Sequence, residues 1–140
     1  MRRTDWQSRL AAVIDAKQRD AFAWGQNDCS LFCCDVIAAI TDVDPGEPFR
    51  GKYDSRLAGT KLLKEHGADN LEQLVEILAA RHGFVEVNSG FAQRGDLGLY
   101  RDPKEGDTLG INTGPSFAFL MEKGMIYLPR SKMSRCWRIT

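Results

Sequence analysis

Apolar positions recur at helical spacing through the first half of the chain. From Phe84 onward they come in short runs broken by turn residues. Trp6, Leu10, Val13 and Ile14 mark one face of a helix expected from Asp5 to about Arg19, with Thr4 and Gln7 spaced as a capping box. A second helix is predicted from near Cys29 to near Ile40. Its residues Leu31, Phe32, Cys33, Cys34, Val36, Ile37, Ala38, Ala39 and Ile40 are apolar nearly all round, the pattern of a helix buried on most sides. Residues 41–54 carry Pro and Gly punctuation and read as an ordered loop. A third helix is expected from about Ser55 to His66, stopping at Gly67. Asn70 with Gln73 opens a fourth, carrying Leu71, Leu74, Val75 and Leu78, and Gly83 ends it.

The later runs predict strands at Phe84–Val87, Leu97–Tyr100, Thr108–Asn112, Ser116–Met121, Met125–Leu128 and Cys136–Ile139. Asp102-Pro103-Lys104-Glu105-Gly106 and Glu122-Lys123-Gly124 read as hairpin connections. Helices followed by short antiparallel strands make an α+β domain, with a buried central helix packed on a C-terminal sheet. The length fits one domain over residues 1–140, with no internal repeat.

Charge narrows the partners. Lys+Arg and Asp+Glu balance at 19 each, so no electrostatic pull toward nucleic acid or an anionic membrane is expected. No apolar run is long enough for a membrane span. The basic start Met1-Arg2-Arg3 is followed by no apolar run, so synthesis in a cytoplasm without a secretory signal is expected. The four cysteines, Cys29, Cys33, Cys34 and Cys136, do not have the spacing of a zinc site. No metal or cofactor is expected, and Cys33 and Cys34 read as small buried apolar residues.

Residues 22–34, Phe-Ala-Trp-Gly-Gln-Asn-Asp-Cys-Ser-Leu-Phe-Cys-Cys, carry the candidate chemistry. A turn runs into the second helix at Cys29, where unpaired N–H groups and the positive end of the helix dipole meet. A cysteine there is expected to have a depressed pKa and to be partly thiolate, the form that attacks carbonyl carbon. The alternative reading makes Cys29 plain core. Asp28 reads first as a cap and turn residue, and Trp6, Trp24 and Trp137 as core anchors. Arg50 and Tyr53 lie on the long loop, as recognition residues or as the packing of that loop over the second helix. A cysteine nucleophile needs a base. The two histidines, His66 and His82, each close a helix, where a histidine complements the dipole without any functional role.

The Asp28-Cys29-Ser30 helix start, approached through Trp24-Gly25, together with Gly95-Asp96 opening a later strand, resembles the NlpC-type papain-like cysteine peptidases of cell-wall peptidoglycan. Phe22 to Cys29, Arg50-Gly51-Lys52-Tyr53 and Trp137-Arg138-Ile139 are similar to short relatives in phage tail modules. The resemblance spans roughly residues 20–140. It implies a papain-like fold with Cys29 as nucleophile, beside Asp28 and Ser30. It also places the catalytic histidine before an apolar-Gly-Ile segment. That segment here is Leu109-Gly110-Ile111, so Thr108 occupies the histidine's position. Phe22 stands where the peptidases often have a tyrosine, and the residue that would orient the histidine has no counterpart among Ser116 to Met121. Threonine neither holds a thiolate as an ion pair nor protonates a leaving amine.

Two functions follow from the resemblance. One is a phage tail tip, baseplate or tail-assembly protein that keeps the fold without the chemistry. It would be carried in the virion and bind other tail proteins. The alternative is an active peptidase or amidase cutting peptidoglycan peptides during phage entry. The tripeptide Arg94-Gly95-Asp96, at the mouth of a strand, is discounted as an adhesion motif.

Overall fold

The computed structural model describes residues 1–140. Four helices precede a six-stranded antiparallel sheet, an α+β architecture. Helix α1 spans Trp6–Lys17, α2 Cys29–Thr41, α3 Arg56–Glu65 and α4 Leu71–His82. The strands are β1 Val85–Val87, β2 Leu97–Asp102, β3 Gly106–Asn112, β4 Phe117–Met121, β5 Gly124–Leu128 and β6 Arg135–Arg138. Every predicted element is present, with ends displaced by a residue or two. Two single-turn 3-10 helices, Ser89–Phe91 and Arg130–Lys132, have no counterpart in the apolar pattern.

The helix ends follow their caps. Asp28, Ser55 and Asn70 each accept a hydrogen bond from a backbone N–H in the first turn of the helix they open. The Gln73 side chain returns a bond from the Asp69 N–H, closing the start of α4 from both sides. The capping box expected at Thr4 and Gln7 does not form. Helix α1 starts beyond Asp5, whose carboxylate accepts from Arg9 at 2.8 Å instead of capping the backbone.

Helix α2 is the centre of the molecule. Leu31, Phe32, Cys33, Val36, Ile37 and Ile40 are buried along it, each apolar side chain contributing about 1.5–3 kcal/mol. One side of α2 packs on α1 and another lies across β3 and β4. The sheet order is β1-β6-β2-β3-β4-β5, with the last strand inserted between β1 and β2. Leu97, Leu99, Leu109, Ile111, Ala118 and Leu120 face α2 and share its core. The opposite sheet face carries a smaller core of Phe117, Phe119, Met133 and Cys136. Gly110 makes that second layer possible, since a Cβ there would lie 2.7 Å from both the Ala118 carbonyl and the Phe119 ring.

The β3–β4 ladder is short. It pairs only Ile111 with Ala118 and Asn112 with Phe117. Strand β3 stays paired with β2 from Gly106 to Ile111. The first half of β3 is thus without a strand partner on its β4 side, and the first turn of α2 meets it there.

Candidate site at the start of the central helix

Asp28 organises the site. It is 1 % exposed, and its carboxylate accepts from the Leu31 N–H and the Gly25 N–H, both at 2.9 Å. Tyr53 donates its hydroxyl to the same carboxylate. One side chain therefore caps α2, closes the preceding turn and anchors the long loop. Asp28 is the cap and turn residue that its position predicts. Burial, and then the Asp28 charge, push the Tyr53 hydroxyl's pKa far above that of an ordinary phenol.

Gly25 is required at this turn on two counts. Its φ is +78°, and a Cβ would fall 1.8 Å from the Tyr53 carbonyl oxygen. The Gly51 N–H also donates to the Gly25 carbonyl at 2.8 Å. Residues 42–54 are thus packed onto α2 and the turn before it. Arg50 is committed to that packing, pairing with Asp44 at 2.7 Å and Asp35 at 2.8 Å. Of the two loop residues singled out in the sequence, Arg50 holds the loop and Tyr53 reaches the site.

Cys29 is the first residue of α2 and is half-buried. Its sulfur lies 3.8 Å from the Ser30 hydroxyl, and the Leu109 backbone amide of β3 acts on it in favour of the thiolate. These contacts and the helix start favour thiolate, but burial outweighs them. With the Asp28 charge adding to burial, the thiol's pKa is raised above its ordinary value. The expected depression is therefore not found, because a neighbouring carboxylate and desolvation oppose the dipole. Burial pushes the Cys33 thiol well up, that of Cys34 up to about 12, and that of Cys136 up to about 11. Cys33 is core, and Cys34 packs against Gly46 of the loop.

Cys29 opens onto a cavity of about 620 Å³ between α2, α3, α4 and the tips of the β2–β3 and β4–β5 hairpins. Phe22, Trp24, Leu63, Leu74, Leu109 and Leu120 supply apolar wall, while Asp102, Lys104, Glu105 and Lys123 stand among its charged lining. Trp24 belongs to this wall rather than to the core assigned to it, set edge-on to Phe22 at 5.0 Å. Trp137 is core, 2 % exposed. Trp6 packs half-buried against the core beneath the Arg2 guanidinium.

Thr108 lines the same cavity as Cys29, one residue before Leu109, which lines it too. It is 5 % exposed, and its hydroxyl donates to the Tyr100 carbonyl at 3.2 Å. Neither histidine is among the residues lining the cavity. His66 lies tilted against Phe49 and His82 stacks on Phe84, each at the end of its helix. No cluster of His, Cys, Asp and Glu is arranged to hold a metal.

A family described as a domain of unknown function, DUF6950, matches residues 1–139. The chain belongs to this family. No curated protein matches it. The DUF6950 match covers the Cys29 turn, the Tyr53 loop and the sheet alike.

Within this DUF6950 chain, two groups at the site escape sequence reasoning. Arg56, at the start of α3, pairs with Glu105 at the β2–β3 tip and lies over the Trp24 ring, 5.7 Å from its centre. Nothing in the spacing of Arg56 and Glu105 signals that pair. The Leu109 amide is backbone and leaves no residue signature. Asp96, read as the opening of a strand, is fully buried. It accepts from the Gln93 N–H at 2.7 Å and pairs with Arg138 at 3.0 Å and Arg2 at 3.4 Å. It ties the N-terminal segment to β6 and is not presented to any adhesion partner.

Proposed function

We propose that this chain is a phage tail component, of the tip, baseplate or assembly machinery, that keeps an NlpC-like papain-type fold without its hydrolytic chemistry. The observation that carries the reading is the cavity shared by Cys29 and Thr108, into which neither histidine enters. The start of a buried helix meets the strand segment Thr108-Leu109-Gly110-Ile111, the relation the resemblance implies. The imidazole that would complete a peptidase is absent from that meeting point. Burial and the Asp28 charge raise the thiol's pKa, against activation. Such a protein acts by binding other tail proteins and travels in the virion.

A second reading, an active peptidoglycan peptidase or amidase, draws on one observation. Cys29 faces an open cavity at a helix start, with the Leu109 amide beside its sulfur. Its nucleophile would need a base from outside both histidines, which ranks it second.

Mass spectrometry of purified phage particles tests the first reading. The protein is expected in the tail fraction, and particles carrying Cys29→Ala are expected to assemble and infect as the wild type does. Absence from the particle, or loss of infectivity with Cys29→Ala, contradicts it.

A further inference from the structure

The two edges of the sheet are built differently. Strand β1 is three residues long, and its central Glu86 is tied to Arg135 at 2.6 Å. Short, charged edges of this kind resist pairing with foreign strands. Strand β5 has no such protection. Its residues Gly-Met-Ile-Tyr-Leu carry no charge and no proline, Ile126 and Tyr127 are exposed, and β4 is its only strand neighbour.

The hairpin dictates which groups are free. The Glu122-Lys123 turn makes Met121 and Gly124 the closing pair, and a two-residue turn closes on a hydrogen-bonded pair. By alternation, Phe119 with Ile126 and Phe117 with Leu128 also exchange hydrogen bonds. Met125 and Tyr127 therefore turn their N–H and C=O groups to the open side.

We propose that β5 pairs with β5 of a second copy of this chain, antiparallel, about a two-fold axis at Ile126. In that register Met125 of each copy faces Tyr127 of the other, so all four outward N–H groups find carbonyl partners. The strand flanks argue for self-pairing in this register. Glu122, in the turn before β5, and Arg130, two residues beyond its end, stand at opposite ends of the strand, so antiparallel pairing brings Glu122 of one copy toward Arg130 of the other, twice by symmetry. Both side chains are exposed, and neither has a salt-bridge partner within its own chain. A two-fold contact is closed and self-limiting, unlike an open edge that recruits strands without end. The joined sheet would run twelve strands across the dimer, with the two Cys29 cavities on separate subunits. The contact is small, so the dimer forms with rising concentration rather than being obligate.

Sedimentation and light scattering of the full chain over a range of concentrations test this. The mass is expected to climb from 15.7 kDa toward twice that value. Glu122→Arg alone, or Arg130→Glu alone, is expected to weaken the dimer roughly tenfold, and the double swap to restore it. Tyr127→Pro removes an outward N–H without touching the β4 ladder and is expected to leave a folded monomer by circular dichroism. A monomer at every concentration overturns the proposal, including one that pairs only with an added foreign strand peptide. So does a dimer indifferent to the charge swaps. The proposal does not depend on the tail reading, since neither particle content nor hydrolytic activity enters its test.

Discussion

Cys29 and Leu109 meet where β3 has lost its β4 partner, and the Leu109 backbone amide favours the thiolate form of the Cys29 sulfur. A backbone group that would otherwise belong to a strand ladder acts on a thiol at a helix start instead. It lowers the sulfur's pKa, as do the Ser30 contacts, yet burial and the Asp28 carboxylate prevail.

Alkylation measures that balance. Iodoacetamide at neutral pH is expected to modify Cys29 ahead of Cys33, Cys34 and Cys136, because it faces the cavity. It should nevertheless react more slowly than free cysteine, and faster as pH rises. A rate above that of free cysteine would mean an activated thiolate.

Thiol burial also sets the alkaline limit of stability. Unfolded thiols ionise near about pH 8.5, whereas Cys136 holds its proton to about 11 and Cys34 to about 12. Below the unfolded value both states are protonated and the contribution is complete. Above it the folded chain binds more protons than the unfolded one, so stability falls as pH rises through that interval. Urea midpoints should therefore drop between about pH 8 and about pH 10. Cys34→Ala is expected to flatten part of the drop.

Tyr53→Phe removes one of three donors to a buried carboxylate. A hydrogen bond to a charged group contributes about 1.5–3 kcal/mol, and chemical denaturation should show a loss of that size. Unchanged stability would mean the hydroxyl is not needed to hold the loop on α2.

The Arg56–Glu105 pair is exposed, at 51 % and 40 %, and so contributes no more than about 1 kcal/mol to stability. Its position between α3 and the β2–β3 tip makes it a loose strap beside the cavity. Arg56→Ala is expected to leave the denaturation midpoint nearly unchanged while raising the Cys29 alkylation rate several-fold. An unaltered rate would show that the strap does not limit access.

The sequence made the elements legible because their signals are local. Asn70 with Gln73, Gly83 and the unbroken apolar run of α2 depend on neighbours within a turn. The start of α2 at Cys29 was legible for the same reason, since Asp28 caps it. The Thr4–Gln7 capping box misled because Asp5, not Thr4, takes the cap position of α1, and its carboxylate turns to Arg9. The thiol's raised pKa was not legible. It depends on desolvation by β3 and the loop, far off in the chain, whereas the dipole argument uses only the helix itself. Trp24 and Arg56 were missed as cavity groups for a related reason, since their meeting depends on how α3 docks.

Muropeptide release from purified peptidoglycan tests the central claim most directly. Wild type, Cys29→Ala and Thr108→His would be compared by chromatography of the digests. The account predicts no fragments from wild type or Cys29→Ala. It predicts at most a trace from Thr108→His, whose imidazole would lack an orienting partner. Clear release by wild type, abolished in Cys29→Ala, would contradict it and make this chain a working cysteine hydrolase.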